Sequence, residues 1–124
     1  MKLRVRGDSL RLRVTRGELD RLARGDTVRE VVRFPAGTAL VYALHVHGGT
    51  EWRAGFDGRE VRIGLPAAAA TRWYDPAEEG VRADLPVGEG ATLALLVEKD
   101  FPCGHRPGAD EADAFPRPGT PPAG

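Results

Sequence analysis

Charged and apolar residues alternate from Lys2 to Val14, and this pattern limits what the chain can fold into. Lys2–Arg6 sets Leu3 and Val5 against Lys2, Arg4 and Arg6. Ser9–Val14 sets Leu10, Leu12 and Val14 against Arg11 and Arg13. Successive side chains of a strand point to opposite faces, so a period of two predicts strands with one buried face and one wet face. Gly7-Asp8 is a turn signal between them, and the pair reads as a hairpin.

Thr15-Arg16-Gly17-Glu18 then has the spacing of a capping box. It predicts a short helix with Leu19 and Leu22 on its buried stripe and Gly25 as its stop. Two more strands are expected over Asp26–Phe34 and Ala39–Val46, split by Pro35-Ala36-Gly37. After the loop His47-Gly48-Gly49-Thr50 the order repeats. Strands over Glu51–Phe56 and Arg59–Leu65 flank the two-residue turn signal Asp57-Gly58. Pro66 suits a first helical position, and a helix is expected over Ala67–Trp73. The last strands, Val81–Leu85 and Ala91–Glu98, are separated by Pro86-Val87-Gly88-Glu89-Gly90.

The expected fold is therefore α+β and mainly β, with two short helices. It is built from two strand-strand-helix-strand-strand units, at about 1–47 and 51–100. Leu10, Leu12 and Val14 align with Val61, Ile63 and Leu65, and Ala39–Val46 aligns with Ala91–Glu98 after a one-residue slip. Neither unit can bury a core alone, so the pair is expected to close as a pseudo-duplicated small barrel or sandwich in one domain, 1–100. Residues 101–124 are rich in Pro, Gly and acids and read as an irregular tail.

Net charge is zero, but its distribution is uneven. Residues 1–33 carry ten Lys or Arg against five acids, and residues 74–124 carry four against ten. Cys103 is the only cysteine, so no intrachain disulfide can form. The charged opening is not a secretory signal, and no apolar run approaches the roughly 20 residues of a membrane span. The expectation is a cytoplasmic protein with no membrane partner.

Residues 10–32, LRLRVTRGELDRLARGDTVREVV, resemble the strand, capped helix and Gly-Asp-x-Val strand of AbrB-like swapped-hairpin and cradle-loop barrels. That resemblance implies a barrel and a DNA-binding regulator. The opening KLRVRGDSLRLRVTRGELDR and the closing LVEKDFPC and DEADAFPRP resemble a family of small bacterial proteins of unknown function. This second resemblance runs end to end and implies that both ends belong to one domain.

Three groups of residues could carry chemistry. His45 and His47 share one face of a strand and could offer two imidazoles to a transition metal. Glu98 and Asp100 fall at the matching places of the second unit. Against this, Leu40, Tyr42, Leu44 and Val46 read as the core face, which leaves the histidines at a solvated strand end. In the tail, Cys103 and His105 lie near Asp110, Glu111 and Asp113, without the spacing of a zinc finger or an EF-hand. Lys2, Arg4, Arg6, Arg11 and Arg13 could line one outer sheet face. There they would bind an anion or nucleic acid, or be offset by the protein's own acids, including Glu60, Asp110, Glu111 and Asp113. Trp52, Phe56 and Trp73 read as core. No catalytic set stands out. The first functional reading is a non-enzymatic binding or interaction protein with a protein or small-molecule ligand. The alternatives are a metal-binding protein or metal-dependent enzyme using His45 and His47, and a nucleic-acid-binding regulator using the Arg-rich hairpin.

Overall fold

The structure, a computed structural model, describes residues 1–101. Ten elements follow the expected order: β1 (Lys2–Val5), β2 (Ser9–Val14), α1 (Arg16–Ala23), β3 (Val28–Arg33), β4 (Ala39–His47), β5 (Arg53–Phe56), β6 (Glu60–Pro66), α2 (Ala67–Tyr74), β7 (Gly80–Gly88) and β8 (Ala91–Lys99). The fold is α+β and mainly β. Its strands form two four-stranded sheets, in the orders β1-β2-β8-β7 and β3-β4-β6-β5. Each sheet has a central parallel pair, β2 with β8 or β4 with β6, flanked by antiparallel partners.

The closed barrel among the expectations does not form. No described strand pairs across the two sheets, so β1 and β7 remain edges of one and β3 and β5 edges of the other. Closing a sheet removes its edges, but here β1 and β5 span only four residues each. Lys2 and Arg4 also keep the β1 edge charged.

One core unites both sheets and both helices. Leu12, Val14, Val81, Leu95 and Val97 come from the first sheet. Val28, Leu44, Ile63 and Leu65 come from the second, and Leu22, Ala69 and Trp73 from the helices. The alternation seen in the sequence accounts for this directly: Leu12 and Val14 are buried between half-buried arginines. Trp73 is fully buried and donates its indole N–H to the Glu79 carbonyl at 3.2 Å, which satisfies its one polar atom. Trp52 packs against this core from outside the strands. Phe56, expected inside, is 65% exposed, because it ends the short edge strand β5.

Local chemistry sets the helix starts. Thr15 Oγ1 accepts from the Glu18 backbone N–H at 3.3 Å. The Thr15 N–H donates to Glu18 Oε1 at 2.9 Å, completing the capping box. The Met1 ammonium donates to Glu18 Oε2 at 2.6 Å and Glu30 Oε1 at 3.0 Å, tying the chain start to α1 and β3. Burial opposes that ammonium's charge, but the two carboxylates outweigh it and raise its pKa. Pro66 remains extended as the cap of α2 and still pairs in β6, one position earlier than expected. β7 runs on to Gly88 through a bulge near Pro86, and Gly88, Glu89 and Gly90 all take positive φ to turn into β8. Two of these three are glycines, which enter that region without steric cost.

Candidate functional site

On the outer face of the first sheet, β1 and β2 bring Lys2, Arg4, Arg11 and Arg13 together, since Lys2 pairs with Arg13 and Arg4 with Arg11. Arg6 lies beyond the end of β1. Cations directly opposite each other repel, and the offset comes from β8. Glu98 Oε1 accepts from Arg11 Nε at 2.5 Å and from Arg13 Nε at 2.7 Å. Lys2 Nζ lies 3.1 Å from Asp100 Oδ2. Glu98 is only 4% exposed. Burial opposes its ionisation, but the two guanidiniums outweigh that and hold its carboxyl below the usual carboxylate range. A cavity of about 180 Å³ opens beside Lys2, Leu3, Arg4, Arg11 and Arg13.

Glu60, expected among the acids offsetting this hairpin, sits on the second sheet. There it joins Arg29 at 3.4 Å and Arg62 at 2.9 Å.

His45 and His47 project from the outer face of β4, opposite Tyr42, Leu44 and Val46, which pack on the core side. They are half-buried, not at a solvated strand end. Their ring centroids are 6.0 Å apart and tilted by 46°. β6 makes room for them with Gly64, which pairs with His45. A Cβ on Gly64 would lie 2.9 Å from His45 Cε1, 3.0 Å from His45 Nε2 and 3.0 Å from His47 Cδ2. The Gly49 N–H donates to His47 Nδ1 at 3.0 Å. His45 Nδ1 and His47 Nε2 are buried and have no hydrogen-bond partner among the described residues. Burial, and then the charges of Arg62, His47 and Arg53, lower the His45 pKa, against a weaker opposing contribution from the Ile63 backbone.

The structure does not bring the four candidate metal ligands together. His45 and His47 belong to the second sheet, whereas Glu98 and Asp100 lie at and just beyond the end of β8 in the first and engage Arg11, Arg13 and Lys2. Among the described residues, no group of three or more His, Cys, Asp or Glu side chains is placed to hold a metal ion. Cys103, His105, Asp110, Glu111 and Asp113 lie outside the described residues.

A third feature escaped the sequence reading. A cleft of about 730 Å³ opens where α1 starts, α2 ends and β8 leaves its sheet. Val14, Leu19, Tyr74, Pro76 and Phe101 supply its apolar surface, and Arg16, Asp20, Lys99 and Asp100 its charges. Lys99 Nζ donates to the backbone carbonyls of Asp75 at 2.8 Å and Glu78 at 2.7 Å. Burial raises the Tyr74 pKa and keeps its phenol protonated. These residues come from three separated segments, 14–20, 74–76 and 99–101, and no local pattern marks them as neighbours.

The fold and its surfaces define a small two-sheet α+β protein with an open cleft at one end and charged outer sheet faces. The chain belongs to a family described as "Family of unknown function (DUF7009)", which matches residues 1–119. No curated protein and no solved structure matches it. Among the described residues, no helix is long and apolar enough to cross a membrane.

Proposed function

We propose that this chain is a non-enzymatic binding protein, and that its ligand is a small organic acid with an apolar body held in the cleft between α1, α2 and β8. The observation that carries the reading is the cleft itself. Its volume of about 730 Å³ falls in the roughly 300–1,000 Å³ range of small-molecule sites, which combine apolar walls with a few polar groups. Leu19, Tyr74, Pro76 and Phe101 suit an apolar or ring-bearing body. Its charges are two cations, Arg16 and Lys99, and two carboxylates, Asp20 and Asp100, and the cations are the groups that would hold an acid. Arg16 opens α1, where the first backbone N–H groups lack helical acceptors and the helix dipole is positive. Lys99 adds a second cation, and Asp100 is already engaged by Lys2. The basic hairpin is a weaker site for a polyanion, because Glu98 and Asp100 sit among its cations.

Calorimetric titration with 3-phenylpropionate and octanoate, each against its neutral amide, tests this reading. Saturable binding of an acid, at least tenfold tighter than its amide and weakened by Arg16→Gln, is expected. Equal binding of acid and amide removes the charged end from the account. No saturable binding of either acid removes the cleft.

We further propose that the two strand-strand-helix-strand-strand units arose by duplication. The support is topological. Replacing β1, β2, β3 and β4 by β5, β6, β7 and β8, and the reverse, converts one sheet order into the other. Matching Leu12 to Ile63 and Val28 to Val81 sets their shared partners Val97 and Leu44 against each other, one residue beyond the alignment of Ala39–Val46 with Ala91–Glu98.

A further inference from the structure

We propose that His45 and His47, with Arg53 and Arg62, form a binding site for a tetrahedral oxyanion, phosphate or sulfate, on the outer face of the second sheet. The site is separate from the cleft and does not depend on it.

The hydrogen bonding of His47 decides between a cation and an anion. Its Nδ1 accepts from the Gly49 N–H. In the neutral ring the proton therefore sits on Nε2, which becomes a donor with no lone pair for a metal. That Nε2 is buried and has no acceptor among the described residues; His45 Nδ1 is also buried without a partner there, and it adds a second donor when its ring carries the proton on Nδ1. Buried donors are normally satisfied, and an oxyanion supplies several acceptor atoms at once.

The surroundings carry the same sign. The position a Gly49 Cβ would take lies 3.0 Å from His47 Nδ1 and 3.4 Å from Arg53 Nη2, so the Arg53 guanidinium stands beside this ring. Arg53 and Arg62 both act on His45 as positive charges. The acid on this face, Glu60, is shared by Arg29 and Arg62. A metal cation would add charge to an already positive cluster, whereas an oxyanion offsets it. Gly64 completes the arrangement, since any side chain there would displace the two rings.

The test is a titration of the full chain with inorganic phosphate at fixed ionic strength, followed by the imidazole ¹⁵N and ¹³C resonances. Saturable shifts of His45 and His47, weakened at least tenfold by Arg53→Gln and by His47→Phe, are expected. The exposed Arg53 is chosen because its replacement leaves the core untouched, so a loss there is not a loss of folding. A parallel titration with glycerol phosphate tells the free ion from a phosphoryl group on a larger ligand. Tighter binding of inorganic phosphate indicates the ion, and equal or tighter binding of the ester indicates the group. Shifts that chloride reproduces at equal ionic strength overturn the proposal, as does stoichiometric zinc binding at these histidines with no response to phosphate.

Discussion

On the outer face of the first sheet Glu98 lies between two arginines. On the second, His45 stands at the equivalent register position, and Gly64 occupies the place that Arg13 holds beside Glu98. The same strand order thus carries two different solutions for a half-buried polar site. In the first, a carboxylate is neutralised twice over by Arg11 and Arg13 through their Nε atoms. In the second, the absence of a side chain at Gly64 leaves room for two imidazoles, and one buried nitrogen of each, His45 Nδ1 and His47 Nε2, has no partner among the described residues. The difference shows that a shared backbone plan does not fix the chemistry of its faces. Two positions differ, Glu98 against His45 and Arg13 against Gly64, and on the proposal above they separate a site closed by its own charges from one that takes a ligand.

Glycine also marks both sites, and the two glycines should not tolerate change equally. A Cβ on Gly80, which pairs with Glu98, would lie 2.6 Å from the Val97 carbonyl oxygen and 2.9 Å from Glu98 Cβ. Backbone cannot yield there, so Gly80→Ala should cost about 3 kcal/mol. The midpoint of urea unfolding at constant m measures it. A cost near zero would show that β7 shifts freely on β8.

Glu98→Gln should be next, at about 2 kcal/mol, the usual scale for losing a buried charge-assisted hydrogen bond. The same substitution changes the acid response. The folded pKa of Glu98 is lowered, so its contribution is complete above the ordinary glutamate value of about 4.3 and is lost as pH falls through the folded pKa. Stability of the parent chain should therefore fall more steeply below about pH 4 than that of Glu98→Gln. Parallel slopes would mean that the arginines do not hold the carboxylate in the folded protein.

Gly64→Ala should cost less than Gly80→Ala, about 1 kcal/mol, because the obstruction is two side-chain rings that can turn. The cost should largely vanish when His45 is also replaced by Ala, and a double-mutant cycle reads that coupling. Additive costs would place the strain in the backbone instead. Smallest of all should be Glu60→Gln, at about 0.5 kcal/mol or less. Its partners Arg29 and Arg62 are more than half exposed, and surface pairs contribute little.

Much of the fold was legible because local signals and tertiary packing agree. The alternation in β2 placed Leu12 and Val14 inside, and the Thr15 box placed the start of α1. Gly88 and Gly90 marked the last turn, although β7 extended into it. What the sequence did not carry was closure. Strand patterns state which face is buried but not which edges meet, so a barrel and two open sheets read alike. Phe56 was misplaced for a related reason, since alternation does not reveal that a strand is short and at an edge. At the sites, the face shared by His45 and His47 was legible from their spacing of two. The role of Gly64 was not, because it depends on the parallel register of β4 and β6, which only the assembled sheet sets. The partners of Glu98 were hidden in the same way, and the cleft requires three distant segments to converge.

The most direct test of the contrast between the two faces is the tautomeric state of His47, read from the ¹⁵N shifts and one-bond couplings of its ring at neutral pH without added anion. A neutral ring is expected, with its proton on Nε2 and with Nδ1 accepting from the Gly49 N–H. A proton on Nδ1, which would leave the Nε2 lone pair free, would contradict it and return the histidine pair to the chemistry of metal ligands.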